Sequence, residues 1–196
     1  MKKGLTEIAL ILDASGSMRK IKSDTIGGVN AFIEEQKKIP GDGRLTLCLF
    51  NTEVVTLFES VPLGEVKELT EDDYKPNNNT SLHEAVIVTI EKIGERLENT
   101  PEAERPEKVI IGILTDGEEN SSGEGYTLER VRENIEHQRT KYNWEFVFLG
   151  ANQDAWAAGT QLGVAGASCF NFNADSKGVR SAACLYSQTV TSYRTS

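Results

Sequence analysis

Short, continuous apolar runs alternate along this chain with longer segments whose apolar residues recur at helical spacing. A strand that is apolar on both sides must be covered on both faces, whereas a stripe at i, i+3, i+4 and i+7 makes one buried face of a helix. The two patterns in alternation imply βαβ units around a buried, mainly parallel sheet. The first run, 8–12, predicts a strand. Ile21, Thr25, Val29, Phe32, Ile33 and Gln36 then mark one face of a helix that stops at Pro40-Gly41. Residues 45–50 and 54–58 read as strands separated only by Asn51-Thr52-Glu53. So short a connection allows a hairpin but no parallel crossover, so one of the two is expected to be an antiparallel edge strand.

Further along, 64–79 is polar, carries Pro76-Asn77-Asn78-Asn79 and reads as a loop with at most a short helical turn. Residues 81–97 predict a helix with Leu82, Val86, Ile90, Ile93 and Leu97 as its stripe. A surface connection at 98–108 leads to a central strand at 109–114, a helix at 128–139 and a strand at 145–149. Asp154 is placed to cap a helix reaching about Leu162, followed by a strand at 167–172 and a closing helix at 177–193. The expected fold is one α/β domain over residues 1–196. It is doubly wound, with a mostly parallel sheet of about six strands, one antiparallel edge strand and helices on both faces. A chain of 196 residues suits a single core of that kind.

Composition excludes several roles. With 30 acidic against 21 basic residues and a net charge of -9, the chain has no basic cluster to neutralise phosphates, so nucleic acid is not an expected partner. Cys48, Cys169 and Cys184 are odd in number and lack CxxC spacing, which argues for small core residues in a reducing, cytoplasmic setting. The run after Met1-Lys2-Lys3 is short, is preceded by Glu7 and ends in Asp13, unlike a signal peptide. No stretch approaches the roughly 20 apolar residues of a membrane span.

Three short segments fall at strand ends or helix starts: Asp13-Ala14-Ser15-Gly16-Ser17 after the first strand, Thr80 before the helix at 81–97, and Thr115-Asp116-Gly117 after the central strand. In a doubly wound sheet these places lie at the carboxyl edge, where ligands bind beside the reversal of strand order. Asp13, Ser15, Ser17, Thr80 and Asp116 offer three hydroxyls and two carboxylates, hard oxygen donors that suit Mg²⁺ or Mn²⁺ and not zinc or copper. If the carboxylates act through water, a first shell of neutral hydroxyls leaves the ion electrophilic, with an exchangeable position for an incoming carboxylate.

These segments resemble the metal-ion-dependent adhesion site of von Willebrand factor type A domains, all five positions matching in order across most of the chain. The resemblance implies Ser15, Ser17 and Thr80 as direct ligands, with Asp13 and Asp116 acting through water or by hydrogen bonding the serines. It also implies a protein-binding module whose partner presents an Asp or Glu carboxylate. The run Leu149-Gly150-Ala151-Asn152-Gln153-Asp154-Ala155 resembles stand-alone prokaryotic or phage members. Relatives that act beside AAA-type ATPases, in metal-chelatase subunits or in tellurium resistance make such partners further expectations.

Taken singly, each element has a plainer reading. Ser15 or Ser17 can cap a helix at Met18, Thr80-Ser81-Leu82-His83-Glu84 looks like a capping box, and Asp116-Gly117 suits a turn. Glu118 and Glu119 read as solvated surface, His83 as an exposed helix residue, Asn152 and Asp154 as caps, and Trp144 and Trp156 as packing residues. In the binding reading, Ala14, Asn79, His83, Glu118 and Asn152 form the rim. The competing reading is a Mg²⁺-dependent phosphate-ester hydrolase with Asp13 as phosphoryl acceptor. Against it, Ser15 stands where such enzymes place a second aspartate, and no lysine-bearing glycine loop, GxSxG elbow or histidine triad occurs.

Overall fold

The structure, a computed structural model, describes residues 1–151 and 154–196. The apolar runs form a six-stranded sheet: β1 (Lys2–Asp13), β2 (Asp42–Phe50), β3 (Val54–Pro62), β4 (Pro106–Thr115), β5 (Glu145–Ala151) and β6 (Cys169–Phe172). Their order is β3-β2-β1-β4-β5-β6. All pairs are parallel except β2 with β3, so β3 is the expected antiparallel edge strand. The chain winds outward from β1 through β3, returns to the centre at β4 and winds out the other way. The order therefore reverses between β1 and β4.

Side chains along each strand alternate between two apolar layers. Ile8, Leu10 and Leu12 of β1 join Leu45, Leu47 and Leu49 of β2 in one layer. There they meet Val29, Phe32 and Ile33 of α1 (Lys22–Lys38) and Val179, Ala182, Tyr186 and Val190 of α5 (Ser176–Thr195). Ala9 and Ile11 face the opposite layer with Ile111, Ile113, Phe146 and Phe148. That layer is closed by α2 (Leu82–Glu98), α3 (Leu128–Tyr142) and α4 (Ala155–Gln161). Continuous apolar strands are thus explained by helices on both sides. Gly112 of β4 sits where the Tyr186 ring packs closely against the strand, since a Cβ there would stand 2.4 Å from Cζ.

Several details differ from expectation. The chain after β1 does not enter a helix directly but first makes a 3-10 turn over Gly16–Ile21. The last strand is shorter than 167–172, because Gly166–Ser168 form another 3-10 turn. Cys48 is buried as expected, whereas Cys184 is exposed on α5; all three cysteines are free. Trp144 packs in the core, but Trp156 is 62% exposed, correcting its reading as a packing residue. It occupies the first turn of α4, whose inward face is filled by the smaller Ala155 and Gly159.

Candidate metal centre

β1 and β4 lie side by side, with Leu12 opposite Leu114, so their carboxyl ends deliver Asp13 and Asp116 to neighbouring loops at the reversal point. Asp13 is wholly buried. Its Oδ1 accepts the Ser15 amide at 2.7 Å and its Oδ2 accepts the Thr115 hydroxyl at 2.6 Å. The Ser17 hydroxyl donates to Asp116 Oδ1 at 2.6 Å. Ser15 Oγ stands 3.1 Å from Ser17 Oγ. Because the single Ser17 proton is committed to Asp116, Ser15 is the donor in that pair.

Thr80 arrives from the other side. Its amide donates to Asn120 Oδ1 at 2.9 Å and its carbonyl accepts the Asn120 amide at 3.0 Å. Its hydroxyl faces Gly117, where a Cβ would lie only 3.3 Å from Thr80 Oγ1. The structure therefore joins Asp13, Ser15, Ser17 and Asp116 in one hydrogen-bonded cluster and sets Thr80 against the residue following Asp116.

The capping readings of Ser15 and Thr80 fail, whereas Asp116-Gly117 does form the expected bend, with the Gly117 amide donating to Thr115 Oγ1 at 3.2 Å. Ser15 precedes the 3-10 turn without capping it through its side chain. Ser81, not Thr80, occupies the cap position of α2, and its hydroxyl pairs with Ser121 instead of an α2 amide. The capping box is replaced by an insertion from the loop after β4: the His83 amide donates to Glu119 Oε2 at 2.7 Å, and the Glu84 amide to Ser122 Oγ at 3.0 Å. Glu119 is therefore no solvated bystander; an anion at a helix N-terminus satisfies an otherwise unpaired N–H and complements the helix dipole. His83 is not exposed either, its side chain being 15% accessible. Ala14 is buried and contributes no open rim surface. Asn79 and Glu118 are exposed. Asp154 caps α4 through Ala157 N, as expected. Asn152 lies outside the described residues.

Burial pushes the Asp13 carboxyl above its ordinary range; hydrogen bonds from Thr115 and Ser15 oppose that, and the charge of Asp116 adds to it. Burial raises Asp116 too, against the Ser17 hydroxyl. Two carboxylates that disfavour their own ionisation are what a nearby cation relieves.

The oxygen spacing fits a small divalent ion. Adjacent ligands of an octahedral ion with 2.0–2.1 Å bonds stand about 2.9 Å apart, close to the 3.1 Å between the serine hydroxyls. The shorter contact from Ser17 to Asp116 instead fits a carboxylate holding a hydroxyl proton, which leaves a lone pair on each serine oxygen free. Among the described residues no group of three or more His, Cys, Asp or Glu side chains is placed to hold a metal, so an ion at these loops would depend on the hydroxyls. Tyr74 was not foreseen, and Thr115 stood out only as part of the Thr115-Asp116-Gly117 segment, not as a partner of Asp13. Tyr74, wholly buried, donates to the Asp13 carbonyl at 2.6 Å. Nothing in local sequence marks a tyrosine reaching 61 residues back along the chain.

Residues 7–183 match the profile of the von Willebrand factor type A domain. Among curated proteins no sequence matches the chain. Similar folds occur in proximal thread matrix protein 1 from the mussel byssus with a zinc-occupied MIDAS motif (TM-score 0.67, 14% identity, 95% of this chain and 48% of that one). They also occur in the pilus adhesin SpaC from Lactobacillus rhamnosus GG in its open conformation (TM-score 0.69, 11% identity, 97% of this chain and 30% of that one). The manganese-loaded TRAP protein of Plasmodium vivax is a third (TM-score 0.53, 16% identity, 76% of this chain and 58% of that one). The chain spans about half the length of the mussel protein and less of the adhesin.

Proposed function

This chain belongs to the von Willebrand factor type A domain family, and we propose that it is a metal-dependent protein-binding module. Its centre would be Asp13, Ser15, Ser17, Thr80 and Asp116, in the manner of a metal-ion-dependent adhesion site. The observation that carries this reading is the serine pair at octahedral spacing, hydrogen-bonded to Asp116 at the reversal of strand order. Ser15, Ser17 and Thr80 would hold the ion directly, while Asp13 and Asp116 orient the hydroxyls and balance charge. A bound divalent ion would supply a Lewis-acid position for a partner's Asp or Glu carboxylate.

The hydrolase reading is disfavoured by Asp13 itself. A phosphoryl acceptor needs a free, approachable oxygen, and both oxygens of this buried carboxylate are engaged by Ser15 and Thr115. Zinc is a different matter. The mussel relative carries it at its MIDAS motif, and zinc generally outcompetes manganese at a given donor set. Donor type alone is thus too strict a criterion for excluding it. We favour Mg²⁺ or Mn²⁺ because all the donors here are hard oxygens. Candidate partners drawn from the family resemblance, an AAA-type ATPase among them, would be sorted by whether they present such a carboxylate. Free thiols support a cytoplasmic setting, and no helix among the described residues is long and apolar enough to cross a membrane.

Titration calorimetry with Mg²⁺ and Mn²⁺ should show one weak site that disappears in Ser15→Ala and Asp116→Ala while circular dichroism stays native. Partner capture should be lost in EDTA. Unchanged metal binding in both variants would refute the site, and capture indifferent to EDTA would refute its role as the interface.

A further inference from the structure

The segment from 63 to 80 links β3 to α2 with little regular structure beyond a 3-10 turn at Leu63–Glu65. A connection of this length is ordinarily mobile. Here it is fastened along its course to α1 and to the loop after β1. The Asn30 amide pairs with Leu69 in both directions, its Nδ2 donating to Leu69 O at 3.0 Å and its Oδ1 accepting Leu69 N at 2.8 Å. Lys22 Nζ donates to Glu71 O at 3.1 Å and Arg19 Nε to Pro76 O at 3.0 Å. At the far end two backbone bonds join the strap to the serine loop: Asn77 N to Ala14 O at 2.9 Å, and Gly16 N to Asn78 O at 3.0 Å. Asn78 takes a left-handed conformation, φ 58°, to turn its carbonyl toward Gly16. A Cβ on Gly16 would stand 3.3 Å from that carbonyl, so glycine permits the approach.

Midway, Tyr74 buries its ring in the same apolar cluster as Met18, Val66 and Leu69 and gives its hydroxyl to Asp13 O. Asp13 O belongs to the peptide plane that leads into Ala14 and Ser15. The Asp13 carboxylate is held by Thr115 and Ser15, but the orientation of that peptide is held by Tyr74.

We propose that Tyr74 is a positioning residue for the metal centre, pinning the Asp13 peptide so that the strap carrying Thr80 and the loop carrying Ser15 and Ser17 form one preorganised unit. The proposal rests on the metal-binding reading of the site. Neutral hydroxyls are weak ligands individually, so affinity depends on presenting them together in advance. Groups one step behind metal ligands commonly change affinity by about 10–100-fold.

Tyr74→Phe removes one oxygen and keeps the ring. Its matched control is Tyr186→Phe: Tyr186 is equally buried and donates at 2.8 Å to Ala9 O, on the same strand but remote from the site. Two quantities are measured, the Mn²⁺ dissociation constant by titration calorimetry and amide hydrogen exchange of the metal-free protein. Tyr74→Phe should weaken Mn²⁺ binding about tenfold and speed exchange at the Gly16 and Asn77 amides. Tyr186→Phe should lower folding stability comparably and leave both readouts at wild-type values. Wild-type Mn²⁺ affinity in Tyr74→Phe, or equal losses in both variants, would overturn the positioning role. A wild-type protein that binds no Mn²⁺ would instead defeat the metal reading, and unchanged Gly16 and Asn77 exchange in Tyr74→Phe would still overturn the pin.

Discussion

Arg96→Met tests what holds the amino-terminal end of the sheet. Glu7 on β1 is 1% exposed, a carboxylate in the core. The hydroxyls of Thr46 and Ser60 donate to its two oxygens at 2.7 and 2.8 Å. Arg96, near the end of α2, brings Nη2 to 3.1 Å from Oε1. Removing one member of a buried ion pair costs about 3–5 kcal/mol when the other is left uncompensated. Two observations place this case below that range. Both Glu7 oxygens keep a hydroxyl donor, and the arginine contact is charge attraction without a directed hydrogen bond, since among the described residues Arg96 Nε and Nη2 have no hydrogen-bond partner. The expected loss is about 2–3 kcal/mol, or about 5–10 °C in Tm for a domain of this size. Urea unfolding with linear extrapolation measures it, and an unchanged m-value shows that the unfolded state is not the cause. Because methionine keeps the apolar stem, the loss reports the stranded carboxylate, and Glu7→Gln in the same chain should recover most of it. A single variant within about 0.5 kcal/mol of wild type, the ordinary range of surface substitutions, would refute the reasoning, as would a double variant no more stable than the single one.

Glu119 should give an acid-sensitive cap. Burial raises its carboxyl, but the His83, Ser122 and Ser121 amides and the Ser122 hydroxyl outweigh burial and hold it below its ordinary 4.5. A depressed folded-state pKa contributes stability that is present above the unfolded value and lost as pH falls through the folded one. Glu119→Ala should therefore cost about 1–2 kcal/mol at neutral pH, a typical cap contribution. Its gap from wild type in denaturant titrations should close in acid; a gap independent of pH would show that the carboxylate charge is not what caps α2. Gly112→Ala would drive a methyl into the Tyr186 ring and should destabilise by about 1–3 kcal/mol or more. Chemical denaturation unchanged by that substitution would mean that the ring does not lie on β4.

The fold class, the six strands and the antiparallel edge at β3 were legible in the amino-acid order because each depends on short-range signals: apolar periodicity, a three-residue connection and the Pro40-Gly41 stop. The five candidate donors were legible for a related reason. The order of strands in a doubly wound sheet dictates which loops meet at its centre, so chemistry-bearing residues at those loops stand out before any coordinates exist. What only the tertiary structure decided is how the donors are held and what caps α2. Thr80-Ser81-Leu82-His83-Glu84 carries a local capping pattern, yet Glu119 and Ser122, more than 30 residues away, take those amides. Tyr74 pins Asp13 across 61 residues, and Arg96 reaches Glu7 on a different element. Such partners are chosen by which polar groups, backbone or side chain, folding leaves in the interior, where an unsatisfied one is costly and the nearest compatible group in space meets it. Distance in space is a property of the assembled layers, and no window of sequence contains it.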